Sequence, residues 1–326
     1  MKQFNVVVFG GLIIFAFSYI SYKGISILFA KTDFSVVFDS VKEIPKVGIG
    51  MVSNVIDSTK EIFETKKIEI NNENEKEFEI EKQISVKKEI VPVVEPKISA
   101  ISYSVVNLKD SKVVMKKNDD RSYPIASLTK LVTAVVSRRL IDKDKKIEIN
   151  EKMLSAYGND AHFRKGETYS ANDLLYPLLL VSSNDASEAL AISYGRIGFI
   201  KAMNDFVQEI GAYHTYFADP SGISPQNVSN AHDLALIVEW IYKHDPEILK
   251  ITANKSISIR GHVWTNPSHY INNASYIGGK NGYTPEAKLT TIAVMNLSRE
   301  NIPHAIVLLG GVNRDNDIEA LSSIVK

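Results

Sequence analysis

The chain has 326 residues, 44% of them apolar, with 38 basic and 38 acidic side chains and no cysteine. That apolar content supplies one substantial core, and the balanced charge offers no field for nucleic acid. The seven histidines show no i,i+3 or i,i+4 pairing, so a helical metal motif such as H-E-x-x-H has no support, and the missing cysteines are compatible with an oxidising extracytoplasmic space.

Gln3 to Tyr22 is free of charge for 20 residues, long enough to cross a bilayer as a helix. No A-x-A site follows it clearly, so residues 1–31 read as an uncleaved signal anchor and transmembrane helix rather than a cleaved signal peptide. Residues 32–56 are moderately apolar, whereas 60–97 hold 18 charged residues of 38 and end in Pro92 and Pro96. The stretch 32–97 is therefore expected to be a charged, largely disordered linker, and 98–326 a single domain. Within that domain the expected class is α+β. Strands from Ile98 to Leu108 and from 276 to 310 join in an antiparallel sheet flanked by helices, a helical region is inserted between them, and a terminal helix spans Asp317 to Val325.

Ser127 follows Tyr123-Pro124-Ile125-Ala126 and precedes Leu131-Val132-Thr133-Ala134-Val135-Val136, an apolar run ending in Ser137-Arg138-Arg139. This pattern predicts a buried helix with Ser127 in its first turn. A serine hydroxyl is a poor nucleophile and needs a base within hydrogen-bond reach; residues three apart share a helix face, so Lys130 can touch Ser127. Burial of Lys130 beside a second cation such as Lys280 would leave a neutral amine able to take the serine proton. A free N–H at the helix start points where an oxyanion would develop. Ser85-Val86-Lys87-Lys88 has the same spacing but sits in the charged stretch, where a solvated linker is the expectation.

Next in the chain, the apolar stretch Asp173 to Val181 delivers Ser182-Ser183-Asn184-Asp185 between two core helices. Asp185 is the expected cap of the second helix, and the spacing of Ser182 and Asn184 puts both side chains toward a shared cleft. Further on, Gly278-Gly279-Lys280-Asn281-Gly282 reads as a strand followed by two antiparallel partners. Its glycines allow close backbone approach to a ligand, and Lys280 offers positive charge to a carboxylate.

Together these segments resemble the S-x-x-K, S-x-N and K-T-G motifs of the penicillin-binding and serine β-lactamase superfamily. From about Ile98 onward the chain resembles the D-alanyl-D-alanine carboxypeptidase family of low-molecular-weight penicillin-binding proteins. The residues carrying the resemblance are Pro124 to Leu131, Ser182 to Ala191, Phe217 to Ile223, Asn230 to Ala235 and Gly279 to Thr284. It implies a DD-peptidase/β-lactamase-like fold with Ser127 as acylated nucleophile, Lys130 as general base, and Ser182 and Asn184 as the second catalytic element. Lys280, Asn281, Gly282 and Tyr283 would line the substrate cleft, with an oxyanion hole from the Ser127 and Tyr283 amides. Phe217 to Ile223 and Asn230 to Ala235 would support the fold. The implied activity is serine-type D-Ala-D-Ala carboxypeptidase on peptidoglycan stem peptides, with β-lactams as covalent inhibitors and no metal or organic cofactor. The implied location is the cell membrane, single-pass through the N-terminal helix, with the catalytic domain extracytoplasmic.

The chain departs from the family pattern at Asn281, where Thr or Ser is usual, and at Lys288, where glycine usually follows alanine. Arg314 is the candidate for an arginine that many members carry after the third of these strands. Three other readings stay open: a DD-endopeptidase on cross-linked peptidoglycan, a β-lactamase, for which no E-x-x-x-N element is found, and a catalytically degenerate peptidoglycan-binding protein.

Overall fold

The computed structural model describes Val8–Phe9, Leu12–Ile13, and residues 97–158, 161–298 and 300–325. Contacts divide the chain into two units, Met1–Val93 and Val94–Lys326. In the first, the short strands Val8–Phe9 and Leu12–Ile13 pair antiparallel, where a membrane helix is expected from the sequence. The rest of that segment, and the linker up to residue 96, lie outside the described residues. Among the described residues no helix is long and apolar enough to cross a membrane.

The second unit is built on a five-stranded antiparallel sheet. Strands β1 (Ser102–Asn107) and β2 (Lys112–Lys117) come first in the chain; β3 (Tyr276–Thr284), β4 (Lys288–Leu297) and β5 (Ile302–Gly311) come last. Their spatial order is β3-β4-β5-β1-β2, so the two ends of the domain are sewn together by β5 on β1, with His304 opposite Asn107 and Leu309 opposite Ser102. The expected strand groups thus join as the sequence pattern predicts. Six consecutive residues of β4 and eight of β5 are buried, the near-continuous apolar pattern of strands covered on both faces.

One face of the sheet carries Ile292, Val294, Ala305 and Val307 into the main core; the other carries Ala293, Met295, Ile306 and Leu308 toward the terminal helix α7 (Arg314–Ile324). That helix begins three residues before the expected Asp317, because Asn313 caps it by accepting from the Asn316 amide. Asp317 lies inside its first turn, fully buried, where its carboxylate accepts from Ser99 N (2.6 Å), Ser99 Oγ (2.7 Å) and Ala100 N (2.9 Å). Charge-assisted bonds of this kind contribute about 1.5–3 kcal/mol each at most and fix the lead-in to β1 against the end of the domain.

The inserted region is helical: α1 (Thr129–Leu140), α2 (Ala171–Leu179), α3 (Asn184–Tyr194), α4 (Arg196–Glu209), α5 (Ala231–His244) and α6 (Glu247–Thr252). Nine residues of α1, Thr129 through Ser137, are buried, so this helix runs through the core rather than across the surface. A capping box starts α2, with Ser170 and Asp173 each accepting the other's amide (3.0 Å). Pro177 removes a late helical N–H, and α2 stops two residues later, releasing the chain into the Ser182 turn.

Candidate active site

Ser127 lies in a single 3-10 turn, Ala126–Leu128, that runs directly into α1. Ala126 has φ +48°, a left-handed conformation that costs a non-glycine residue about 1–2 kcal/mol. Neighbours over-determine it. Ile125 donates its amide to the Asn227 carbonyl (3.0 Å) and accepts from Thr290 Oγ1 on β4 (3.0 Å). Gly222, at φ +87°, lies so close that a Cβ there would stand 1.9 Å from the Ala126 oxygen. On the other side a Cβ on Gly282 would stand 2.8 Å from the Ser127 amide nitrogen and 2.6 Å from Thr290 Oγ1. Both glycines are therefore demanded by contact with the turn that carries Ser127, and β3 lies directly against the Ser127 amide.

Lys130 is completely buried. Its Nζ donates to Ser127 Oγ (3.0 Å), Asn184 Oδ1 (2.8 Å) and the Ser221 carbonyl (2.6 Å). An ammonium has three protons for these three acceptors. A neutral amine would keep two donors, for Asn184 and Ser221, and aim its lone pair at the serine hydroxyl. Asn184 is oriented in turn, because its Nδ2 donates to the Tyr157 carbonyl (2.6 Å) and so leaves Oδ1 toward Lys130. Ser182 has φ +61°, and its hydroxyl has no hydrogen-bond partner among the described residues. Strained backbone of this kind is retained where the surroundings impose it, and here it flanks the Ser127–Lys130 pair in both sequence segments.

The helix after Ser182 is capped by Ser183, whose Oγ accepts from the Ala186 amide (3.1 Å), and not by the expected Asp185, which lies within the first turn. A residue already helical cannot reach back to the free amides as the preceding one does. Asn230, by contrast, caps α5 through the Asp233 amide (2.7 Å), as a fold-supporting segment should. The Phe217 to Ile223 segment is more than fold support: Asp219 folds it by accepting from Ser221 N, Ser221 Oγ, Gly222 N and Ser224 N (each 2.7 Å), and this turn aims the Ser221 carbonyl at Lys130.

Strand β3 is the open edge of the sheet. Lys280 is buried and its Nζ donates to the Asn281 carbonyl (2.8 Å). Gly279 donates its amide to Thr252 Oγ1 on α6 (2.9 Å). Peptide groups of one strand alternate sides, so Gly279 and Asn281 face the open edge, and Tyr283 two residues on presents its amide there as well. Lys280 and Gly282 share the face that meets the Ser127 turn. Asn281 is opposite Thr291 on the α7 face, and neither its amide side chain nor the buried Thr291 hydroxyl has a hydrogen-bond partner among the described residues. Arg314 opens α7 just past β5, whose Gly311 shares a cross-strand row with Leu289 and Tyr283. Burial lowers the pKa of its guanidinium, which has no hydrogen-bond partner among the described residues. The structure thus puts Lys130 in direct contact with both Ser127 and Asn184 and sets Gly282 on Ser127, while Asn281 lies on the opposite face of the sheet, the one that α7, opened by Arg314, covers.

Lys288 sits at φ +57° after the three-residue connection 285–287 between β3 and β4. A residue in this conformation closes three-residue hairpins, which is where glycine is ordinarily preferred. The departure at this position costs strain in the turn without altering the β3–β4 register from Gly278 to Thr284.

Residues 89–313 match the family model described as D-alanyl-D-alanine carboxypeptidase. A D-alanyl-D-alanine endopeptidase of Escherichia coli K12 is 31% identical over 228 residues, 66% of this chain and 72% of that protein. The D-alanyl-D-alanine carboxypeptidase DacF of Bacillus subtilis 168 is 29% identical over 205 residues, 58% of this chain but 52% of that one, so the chain spans about half the length of this relative. Among solved structures, a D-alanyl-D-alanine carboxypeptidase from Mycobacterium tuberculosis H37Rv superposes with a TM-score of 0.65 at 27% identity, over 70% of this chain and 91% of that one. With a family match over most of its length and a mixed fold of helices on an antiparallel sheet, the chain belongs to the D-alanyl-D-alanine carboxypeptidase family of low-molecular-weight penicillin-binding proteins, serine peptidases.

Proposed function

We propose that the protein is a D-Ala-D-Ala carboxypeptidase that trims peptidoglycan stem peptides through an acyl-enzyme on Ser127. The observation that carries this reading is the three-way contact of Lys130 Nζ with Ser127 Oγ, Asn184 Oδ1 and the Ser221 carbonyl. In its neutral form Lys130 takes the hydroxyl proton as Ser127 Oγ attacks the carbonyl carbon between the two D-alanines. The amides of Ser127 and Tyr283 receive the oxyanion. Ser182 and Asn184 form the second wall, with the unengaged Ser182 hydroxyl passing a proton to the leaving amine. Free D-alanine departs, and water attacks the acyl-enzyme with Lys130 again as base. β-Lactams, which mimic the strained acyl donor, acylate Ser127 and stay. Since peptidoglycan is extracytoplasmic, the same reading puts the domain outside the membrane with residues 1–31 as its anchor.

In the carboxypeptidase reading the leaving D-alanine carries a terminal carboxylate. Lys280, Asn281 and Arg314 supply donors for it, the latter two having none of their side-chain N–H groups spent on described residues. The endopeptidase reading rests on the Escherichia coli relative's name and predicts cleavage of a cross-linked muropeptide dimer without release of D-alanine from a pentapeptide monomer. Incubating the protein with each substrate and measuring free D-alanine and dimer loss separates them: the carboxypeptidase reading requires D-alanine from the pentapeptide and fails if only the dimer is consumed.

Asn281 tests the carboxylate assignment. One charge-assisted hydrogen bond contributes about 1.5–3 kcal/mol, so Asn281→Ala should lower acylation roughly ten- to a hundredfold. Asn281→Thr restores the family's hydroxyl on a side chain suited to a strand and should acylate at least as fast as the parent. Acylation unchanged in Asn281→Ala would remove this residue from the site.

A further inference from the structure

Asn227 is completely buried, and every polar group it owns is engaged. Its side-chain oxygen accepts from the amides of Ala218 (3.0 Å) and Asp219 (3.2 Å). Its Nδ2 donates to the Asp219 carbonyl (2.8 Å) and to Thr129 Oγ1 (3.0 Å). In the backbone its carbonyl accepts from the Ile125 amide (3.0 Å) and its amide donates to the Ser224 carbonyl (3.0 Å). A primary amide has two lone pairs and two protons, so this side chain has no group left for a substrate.

The groups it holds belong to two segments that meet at Lys130. One is the nucleophile turn, with Ile125 two residues before Ser127 and Thr129 next to Lys130. The other is the turn folded by Asp219, whose Ser221 carbonyl accepts from Lys130 Nζ (2.6 Å). A neutral Lys130 aims its lone pair at Ser127 only while Asn184 and Ser221 take its two protons, so the offset between the two turns decides where the base points. Close packing of Gly222 on Ala126 limits how near they come. Directional hydrogen bonds through Asn227 fix how they sit along one another. Asn204 provides the contrast: its Oδ1 accepts from Phe217 N (2.9 Å) and its Nδ2 donates to the carbonyls of Phe217 (2.9 Å) and Ile200 (3.1 Å). It braces α4 against the start of the same segment, and none of these bonds reaches residues 125–130.

We propose that Asn227 is a positioning residue for the acylation of Ser127: it locks the nucleophile turn and the Ser221 turn in one register, so that Lys130 keeps both its acceptor and its aim. This rests on the assignment of the reaction above. Asn227 acts through Lys130, and none of its hydrogen bonds is to β3, the strand to which that reading gives the substrate. Its effect therefore falls on the bond-forming step and leaves recognition of the acyl donor as it was.

Saturation kinetics of benzylpenicillin acylation in the full chain separate the two effects, giving k2 for the bond-forming step and Kd for the complex that precedes it. Misplacing a reacting group by about 1 Å costs about 10²-fold, so Asn227→Ala should lower k2 per folded molecule by about that factor with Kd unchanged. Thr129→Val removes only the hydroxyl that Asn227 Nδ2 meets; it should lower k2 severalfold in a folded domain, and it decides the matter where Asn227→Ala fails to fold. Added to Asn227→Ala it should cost little more, because the bond is already gone. Asn204→Ala should lower the melting temperature and leave k2 alone. The proposal is overturned by k2 unchanged in Thr129→Val or in folded Asn227→Ala, by a loss that falls on Kd instead, or by Asn204→Ala lowering k2 as much as Asn227→Ala does. A parent that forms no penicillin adduct defeats the assignment of the reaction itself, and the role of Asn227 with it.

Discussion

Lys130→Arg should reduce acylation of Ser127 by penicillin at least about 10²-fold, the usual scale for loss of acid–base help. A guanidinium keeps the positive charge and can still donate to Asn184 and Ser221, but in a protein it does not give up its proton. It therefore preserves the hydrogen bonds that build the site and removes only the acceptance of the serine proton. Because Lys130 is completely buried, the larger head must also be accommodated, at about 1–3 kcal/mol for overpacking. Lys130→Met, which is no bulkier than lysine, controls for this: it too should lose acylation while a thermal melt shows the domain folded. Stopped-flow acylation of both variants checks the point, and retained acylation in either would move the base elsewhere, Ser182 with a water being the alternative.

Gly222→Ala should disable the site from a position that touches no substrate. An alanine at φ +87° is strained by about 1–3 kcal/mol. Its Cβ would also stand 1.9 Å from the Ala126 oxygen and 2.9 Å from Thr129 Oγ1, one residue from Ser127 on one side and one before Lys130 on the other. Neither neighbour is the free end of a long side chain, so the backbone of the nucleophile turn must move, which adds about 1–3 kcal/mol of overpacking. The expected result is a clearly lowered denaturation midpoint, together with acylation slowed by more than the loss of folded protein accounts for. Gly211→Ala is the comparison: it has φ +84° but no atom within 4 Å of the added carbon, so it should show the strain alone. Equal effects at the two positions would contradict the contact argument.

The contact between the proposed nucleophile and its proposed base was legible because residue types and spacing are. An i,i+3 Ser–Lys pair at the head of an apolar run implies a shared face and a buried lysine; Lys130 Nζ reaches Ser127 Oγ and Lys130 is buried, while Ser127 is half-buried. Backbone groups leave no such signature. The Ser221 and Tyr157 carbonyls complete the shells of Lys130 and Asn184, yet any residue could supply a carbonyl; only Asp219 and Gly222, as turn formers, hinted that Phe217 to Ile223 makes a tight turn. Capping went to Ser183 rather than Asp185 because the helix starts at Asn184, two residues earlier than a cap at Asp185 would put it. Lys288 occupies a left-handed position without being glycine, so the sequence carries no mark of the turn there. Arg196 and Glu188 lie eight residues apart across the junction at Gly195, a spacing that no single helix face brings together; only the break between α3 and α4 makes the pair. Sheet closure was readable for the opposite reason, since the apolar strands at the two ends of the domain have no other partners to bury them.

The central claim is that Ser127 is the acylated nucleophile, and intact-protein mass spectrometry after incubation with benzylpenicillin tests it most directly. The parent should gain the mass of one penicillin, peptide mapping should place it on Ser127, and Ser127→Ala should gain none while melting like the parent. No adduct at millimolar penicillin, or an adduct mapped to Ser182, Ser85 or any other serine, would contradict the account.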